Sequence, residues 1–183
     1  FGFKTKAYEL ESVFVFVPFV AFDWLDLDKL KKRNVIVKNS PGCNREPVSE
    51  WIVGMVINLM RKLPEYINTN EPVPGNPAIG VSLAGKTVCI SGAGNVGTTV
   101  GKICEALGMS VVYFKRGDNL IEKARGADVI VDALGANEET EKIYNKDFFQ
   151  ALKRGAYFVT VTVDRLLDID AMLEALDRGT LAG

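Results

Sequence analysis

The sequence contains no histidine. Because histidine is the side chain whose charge ordinarily changes near neutral pH, a proton shuttle here would have to be a shifted Lys, Glu, Asp or Cys, or come from outside these residues. Neither sign of charge is in excess, since 22 basic and 23 acidic residues give a formal net charge of −1. Such a chain has no overall field that attracts nucleic acid or an anionic membrane, and we expect a small-molecule partner.

Cysteine and long apolar runs are also scarce. The three cysteines, Cys43, Cys89 and Cys104, are too scattered for a disulfide framework or a zinc site, so we expect no bound metal. We interpret Cys89 and Cys104 as reduced core residues of a cytoplasmic protein. The most apolar stretch, residues 13–20, contains Pro18 and is too short to span a membrane.

The first third of the sequence predicts two short strands and two helices. The strands are expected over 13–17 and 35–37, and a helix capped by Asp26 over 27–33. Apolar residues then recur at three- and four-residue steps from Val48 to Leu63, which predicts a helix whose apolar stripe, including Trp51, packs in the core. Pro64 is expected to end this helix, and residues 64–84, rich in Pro, Asn and Gly, to form a linker.

Strands and helices alternate through the rest of the chain. Strands are predicted over 87–90, 111–114, 129–131 and 156–163, and helices over 96–107, 121–125, 146–153 and 168–178. This alternation is typical of an α/β fold with helices on both faces of a parallel sheet, a doubly wound arrangement of the Rossmann type.

A glycine-rich loop, Gly92-Ala93-Gly94-Asn95-Val96-Gly97, lies between an apolar strand and an amphipathic helix. Gly92 permits a tight turn, Gly94 lets the backbone approach a pyrophosphate, and Gly97 lets the helix pack closely on the strand. The helix N-terminus offers free N–H groups and a partial positive charge to phosphates. We therefore predict a dinucleotide site whose loop contacts are Gly92, Gly94, Asn95, Val96 and Gly97.

The end of the second strand of such a fold selects between the two nicotinamide cofactors. An acidic residue there binds the ribose 2′-hydroxyl of NAD, whereas a basic residue accommodates the 2′-phosphate of NADP. This chain has Lys115 and Arg116 after Phe114, with no acid before Asp118. The sequence therefore predicts that NADP is preferred and that NAD binding is secondary.

Further motifs follow one another in a fixed order from about Val17 to Gly183. They are Phe22-Asp23-Trp24-Leu25-Asp26-Leu27, Asn39-Ser40-Pro41-Gly42-Cys43-Asn44, Val48-Ser49-Glu50, Leu83-Ala84-Gly85-Lys86-Thr87-Val88, Ala127-Asp128-Val129-Ile130-Val131, Glu138-Glu139-Thr140, Asp168-Ile169-Asp170-Ala171-Met172 and Leu181-Ala182-Gly183. In order and spacing this set resembles the D-isomer-specific 2-hydroxyacid dehydrogenases, a family that includes phosphoglycerate dehydrogenase and glyoxylate/hydroxypyruvate reductase.

The resemblance implies hydride transfer between a nicotinamide ring and C2 of a small 2-keto or 2-hydroxy acid of D configuration. It also implies that backbone N–H groups at Val20 and Ala21 hold the substrate carboxylate. Cofactor contacts beyond the glycine loop are expected at Lys115, Arg116, Leu134, Thr140, Val161 and Thr162. The cofactor supplies the hydride chemistry, while the protein supplies orientation, charge stabilisation and exclusion of water.

The sequence departs from the family pattern where an arginine normally follows the fourth strand. The matching position holds Val163, and Arg165, two residues later, is the candidate catalytic cation. The family's glutamate and histidine would lie beyond Gly183, and the resemblance places only part of a flavodoxin-like substrate domain at residues 1–40, before a dinucleotide-binding domain at 41–183. We therefore expect the natural polypeptide to extend beyond both ends of this sequence.

Two functions are consistent with these patterns, and a third is weaker. The leading hypothesis is an oxidoreductase of this family, assembled as a homodimer as the resemblance implies. The alternative, favoured by Val163, is a catalytically impaired NAD(P)-binding protein that acts as a sensor or oligomer partner. An amino-acid dehydrogenase can share the Gly-Asn-Val-Gly loop, but the motifs at Pro41 and Asp168 do not support it.

Overall fold

The chain divides into two compact units, residues 1–45 and residues 46–183. The computed structural model describes residues 6–18, 20, 25–68, 80–162 and 164–183. The assignment of the first unit to part of a substrate domain stays a prediction.

The first unit is built on a pair of parallel strands. Strand β1 (Phe14–Val17) pairs with β2 (Ile36–Asn39), and helix α1 (Leu27–Lys32) lies between them in sequence. Helix α1 begins as predicted, because the Asp26 carboxylate accepts a hydrogen bond of 2.9 Å from the Lys29 N–H. Its buried Leu30 belongs to a small core that one face of β1 also enters.

The second unit contains a four-stranded, wholly parallel sheet. Its strands are β3 (Thr87–Ser91), β4 (Ser110–Phe114), β5 (Val129–Asp132) and β6 (Tyr157–Thr160), in the spatial order β4-β3-β5-β6. All four strands predicted for this region are present, although β6 ends earlier than expected. The parallel order confirms the Rossmann-type prediction.

Helices cover both faces of this sheet. They are α2 (Arg45–Arg61), which starts at the unit boundary, α3 (Leu63–Asn68), α4 (Asn95–Ala106), α5 (Leu120–Ala124), α6 (Lys146–Ala151) and α7 (Ile169–Asp177), with a 3₁₀ turn at Asp164–Leu166. On one face Ile130 and Phe158 pack in a core with α5, α6 and α7. On the other, Val129 and Val131 pack in a core with α2 and α4. Alternate residues of the strands therefore pack into two cores, one on each face of the sheet, as a doubly wound sheet requires.

Two predictions for the long helix are wrong. Helix α2 ends at Arg61, Lys62 adopts a left-handed backbone with φ of 51°, and a new helix, α3, includes Pro64. Proline is tolerated in the first turn of a helix, so Pro64 separates two helices instead of beginning a linker. Trp51 is 50% exposed because the buried stripe runs along Ile52, Val56 and Met60, about 100° around the helix. Residues 69–79 of the expected linker lie outside the described residues.

The prediction that Cys89 and Cys104 lie in the core is confirmed. Cys89 and Cys104 are buried and unbonded, and burial raises the pKa of each to about 11. Cys43 is exposed. Within the described segments, no helix combines the length and the apolar character needed to cross a bilayer.

Candidate functional site

The carboxyl ends of the four parallel strands meet at one edge of the sheet. Ser91, the last residue of β3, is in register with Phe114 of β4 and Asp132 of β5, and Asp132 is in register with Thr160 of β6. The loops that follow these strands therefore lie side by side. In open α/β sheets this edge is where ligands bind.

The glycine loop opens with a turn that only glycine fits. Gly92 has φ of 103°, and its N–H donates a 3.1 Å hydrogen bond to the Phe114 carbonyl. A Cβ at Gly92 would lie 2.7 Å from the carbonyl oxygen of Ala133. The first glycine therefore lets β3 turn sharply between the ends of β4 and β5.

The second and third glycines have different roles. Gly94 is the N-cap of α4 and has no side chain to cap it, and the position of an added Cβ has no atom within 4 Å. No side chain therefore caps the first N–H groups of α4, from Asn95 onward. At Gly97, by contrast, a Cβ would collide with the carbonyl oxygen of Gly92, so α4 rests directly on the loop.

The turn after β4 is fixed by its own acidic residue. The Asp118 carboxylate accepts a 2.9 Å hydrogen bond from the Lys115 N–H, and the Asp118 N–H donates to the Lys115 carbonyl at 3.0 Å. Gly117 takes a φ of 93° within this turn. Asp118 is thus engaged with the backbone, while the side chain of Arg116 is 83% exposed.

A cleft of about 310 Å³ lies between this turn and the loop after β5. Its lining residues are Phe114, Arg116, Gly117, Leu134, Gly135, Asn137, Glu139, Thr140 and Ile143. The Thr140 hydroxyl accepts a hydrogen bond from the Asn137 N–H at 2.9 Å and donates to the Gly135 carbonyl at 3.0 Å, which fixes this wall. Across the cleft, the guanidinium of Arg116 lies 3.0 Å from the carboxylate of Glu139.

Sequence reasoning missed a buried carboxylate below this edge. Asp132 is 1% exposed, and its carboxylate accepts hydrogen bonds from the Tyr144 hydroxyl (2.9 Å), the Leu134 N–H (3.0 Å), the Thr160 hydroxyl (2.8 Å) and the Thr162 hydroxyl. An acid that ends an otherwise apolar strand, Val129-Ile130-Val131, was the signal that could have revealed it.

The Asp132 network joins three segments of the carboxyl edge. Leu134 lines the cleft, and Thr160 and Thr162 lie at the end of β6. Tyr144 lies between β5 and α6, where its N–H donates to the Leu166 carbonyl. Burial, and then the negative charge of Asp132, raises the pKa of the Tyr144 hydroxyl well above its ordinary value. Tyr144 is therefore a neutral donor to the carboxylate throughout the physiological pH range.

The structure brings all eleven of the predicted cofactor residues to this one edge. Those in the glycine loop, the turn after β4 and the segments after β5 and β6 are Gly92, Gly94, Asn95, Val96, Gly97, Lys115, Arg116, Leu134, Thr140, Val161 and Thr162. Arg165 lies on the 3₁₀ turn, and its guanidinium pairs with the Glu141 carboxylate at 3.3 Å. Val20 is in the first unit, where its carbonyl accepts a 2.7 Å hydrogen bond from the Asn39 side chain. Ala21 and Val163 lie outside the described residues.

These groups fit a dinucleotide. The uncapped N-terminus of α4 faces open space beside Gly94, which suits a pyrophosphate, and the cleft at Arg116 has room for a ribose and part of a base. Within the described segments, no three potential metal-ligating side chains lie together.

Residues 53–183 match the sequence model of the NAD-binding domain of the D-isomer specific 2-hydroxyacid dehydrogenases. The chain belongs to this family. A D-lactate dehydrogenase of Staphylococcus epidermidis is 26% identical over 176 residues, covering 88% of this chain and 53% of the relative. A glyoxylate/hydroxypyruvate reductase of Arabidopsis thaliana is 28% identical over 179 residues, covering 90% of this chain and 56% of the relative. The chain thus spans about half the length of these D-2-hydroxyacid dehydrogenase relatives.

The solved structures show the same fold. The acyclic imino acid reductase Bsp5, solved in complex with NADPH and D-arginine, superposes with a TM-score of 0.86 at 22% identity, over 93% of this chain and 59% of its own. The match of residues 53–183 to the family model confirms the resemblance to the D-isomer-specific 2-hydroxyacid dehydrogenases predicted from the motifs.

Proposed function

We propose that the full-length protein is a D-2-hydroxyacid dehydrogenase that transfers a hydride between a nicotinamide cofactor and C2 of a small 2-keto or 2-hydroxy acid. The observation that carries the proposal is the glycine loop at the carboxyl edge of the sheet, where a tight turn at Gly92 and an open approach at Gly94 precede α4. Membership of the family supports the reaction type.

In this proposal the chain binds and orients the cofactor. The first N–H groups of α4, at Asn95, Val96 and Gly97, hold the pyrophosphate, and the walls of the cleft at Leu134 and Thr140 hold the adenosine half. Val161 and Thr162 follow β6 and border the other half. The bound cofactor supplies the hydride, and the backbone at Val20 and Ala21 holds the substrate carboxylate.

NADP is the preferred cofactor in this proposal, and NAD is the second. The support is the pair of cations after β4: Lys115 is exposed, Arg116 lines the cleft, and Asp118 is occupied by the turn. A charge-assisted hydrogen bond to a phosphate contributes about 1.5–3 kcal/mol, or roughly ten- to a hundred-fold in affinity. The fold alone does not determine which cofactor is preferred. In this proposal the side chains of Lys115 and Arg116 determine it.

Fluorescence titration of both reduced cofactors tests this preference in the full-length protein. The expected result is tighter binding of NADPH, with a ratio that Lys115→Asp shrinks or inverts. Lys102→Asp, an exposed change on α4 away from the turn, is the control and should leave the ratio unchanged. Equal or tighter binding of NADH by the parent would overturn the assignment.

Arg165 is proposed as the cation that compensates for Val163 at the substrate site. Its guanidinium is paired with Glu141 at 3.3 Å, and the negative charge of Glu141 would oppose the approach of a substrate carboxylate. Losing one preorganised charge typically costs about 3–4 kcal/mol of transition-state stabilisation, or a few hundred-fold in rate. We therefore expect slow reduction of glyoxylate or hydroxypyruvate.

Turnover of these keto acids, followed by the absorbance of the reduced nicotinamide, tests the role of Arg165. Arg165→Ala should abolish the slow rate and leave cofactor affinity within about two-fold, whereas Glu141→Gln, which frees the guanidinium, should raise the rate. A rate for Arg165→Ala equal to that of the parent would remove Arg165 from the mechanism.

The alternative function is that of a catalytically impaired NAD(P)-binding protein acting as a sensor or oligomer partner, favoured by Val163. Tight NADPH binding without turnover of any small keto acid would support it.

We further propose a homodimer in the cytoplasm, acting on a small-molecule acid. The unbonded state of all three cysteines supports a reducing compartment.

A further inference from the structure

The cleft beside the turn after β4 holds one charged group of each sign among its lining residues. Arg116 is the base and Glu139 the acid, and they approach to 3.0 Å from opposite walls. Both side chains are largely exposed, at 83% and 69%, so the ion pair contributes little to folding stability. Because both residues line the cleft, the ion pair would instead affect what binds there.

The acid of the turn itself, Asp118, is already engaged. Asp118 accepts the Lys115 N–H at 2.9 Å and lies 3.9 Å from the Lys123 ammonium, so its carboxylate is directed to its own turn. Glu139 is therefore the acid that competes for the guanidinium of Arg116. Its position is supported by the preceding loop, where the Asn137 side chain accepts a 2.9 Å hydrogen bond from the Glu139 N–H.

We propose that Glu139 is a cofactor-selectivity residue, which restrains NADPH binding by pairing with Arg116. The inference rests on the proposed function, because it concerns the cation that would meet the 2′-phosphate. A phosphate carrying nearly two negative charges must displace the Glu139 carboxylate from Arg116 or lie close beside it. NADH carries no such group, so its binding leaves the ion pair in place. Glu139 thereby reduces the difference in affinity between NADPH and NADH, so that one site can bind both.

The chain supplies a matched control in the preceding residue. Glu138 is also exposed and carries the same charge, but it is not among the residues that line the cleft. Glu138→Gln and Glu139→Gln change the net charge equally, so a general electrostatic effect on cofactor binding would be the same in both. An effect specific to the ion pair appears only in Glu139→Gln.

The experiment is titration of NADPH and NADH into the full-length parent and the two variants. Glu139→Gln should tighten NADPH binding by about three- to ten-fold, leave NADH within about two-fold, and lose much of this gain in high salt, which screens exposed charges. Glu138→Gln should change neither affinity by more than about two-fold. Equal effects of the two variants, or an unchanged NADPH affinity in Glu139→Gln, would overturn the proposal.

A second cycle tests whether Glu139 acts through Arg116. In an Arg116→Gln background, the gain in NADPH affinity from Glu139→Gln should become smaller, because no guanidinium remains to be released and only the direct repulsion between the carboxylate and the 2′-phosphate is removed. An undiminished gain in that background would refute the pairing. If the parent binds neither cofactor, the proposed function fails, whereas binding of both with no response at Glu139 would defeat only this inference.

Discussion

At the scale of single residues, Asp132 connects the most groups at the carboxyl edge. A carboxylate has about four lone-pair positions, and here four donors occupy them in a buried setting. Loss of the carboxylate would leave three hydroxyls and the Leu134 N–H without their acceptor. Buried donors without acceptors are costly, so the network stabilises the ends of β5 and β6 together.

Asp132→Asn should lower the free energy of unfolding by about 2–3 kcal/mol, because the amide group offers fewer acceptor sites to the same donors. Urea denaturation measures the loss. Asp177→Asn, an exposed change at the end of α7, is the control and should stay within about 0.5 kcal/mol of the parent. An unfolding midpoint for Asp132→Asn equal to that of the parent would show that the network adds no stability.

The thiols give a second prediction at this scale. Because burial raises the pKa of Cys89 and Cys104 to about 11, only about one in a thousand of these thiols is a thiolate at about pH 8. Exposed Cys43 should therefore react alone with a thiol reagent in the native protein, and all three should react in urea. Raising the pH toward 11 should speed the two slow thiols if the fold persists. Fast labelling of all three at about pH 8 would contradict their burial.

At the scale of elements, the contact between α4 and the glycine loop is closest at Gly97. A methyl group there would meet the Gly92 carbonyl, whereas a methyl group at Gly54, in the middle of α2, meets no atom within 4 Å. Both glycines lie in helices, so the pair separates close packing from helix propensity.

Gly97→Ala should destabilise the protein by about 1–3 kcal/mol and weaken cofactor binding, since α4 must shift off the loop. Gly54→Ala should stabilise it by about 0.5–1 kcal/mol, because alanine restricts the unfolded chain and suits a helix. Thermal unfolding and a cofactor titration measure the two effects. Similar stability changes in both variants would indicate that Gly97 does not hold α4 against the loop.

The elements near the glycine loop could be predicted because local signals agree there. An apolar strand, three glycines at fixed offsets and an amphipathic helix each favour the same arrangement, and the structure has it. The signal at Pro64 was ambiguous, because proline is compatible with the start of a helix as well as with the end of one. The exposure of Trp51 depends on which side of α2 meets the sheet, which the spacing of apolar residues leaves open by one position.

The contacts of the candidate site were harder to predict than its place. The sequence indicated that Arg116 follows β4, but its pairing with Glu139 joins loops more than twenty residues apart. The Asp132 network likewise joins β5 to hydroxyls about thirty residues later. Such pairs depend on the strand order β4-β3-β5-β6 and on its register, and the local patterns of one sequence do not show which distant side chains these bring together.

At the scale of the whole molecule, we expect a homodimer. Symmetric dimers are the commonest oligomers of soluble proteins, and the family resemblance implies pairing of the cofactor domains. Light scattering of the full-length protein at micromolar concentration should give twice the mass of one chain. The mass of a single chain would contradict this.

We propose that the full-length protein moves a hydride between a nicotinamide cofactor and C2 of a small keto acid. The most direct test supplies NADPH deuterated on the transferring face of C4, together with glyoxylate or hydroxypyruvate, and follows the deuterium by mass spectrometry. We expect one deuterium at C2 of the hydroxy acid for each NADPH oxidised, at a slow rate and with loss of transfer in Gly97→Ala. Tight NADPH binding with no deuterium in any product would contradict the dehydrogenase assignment.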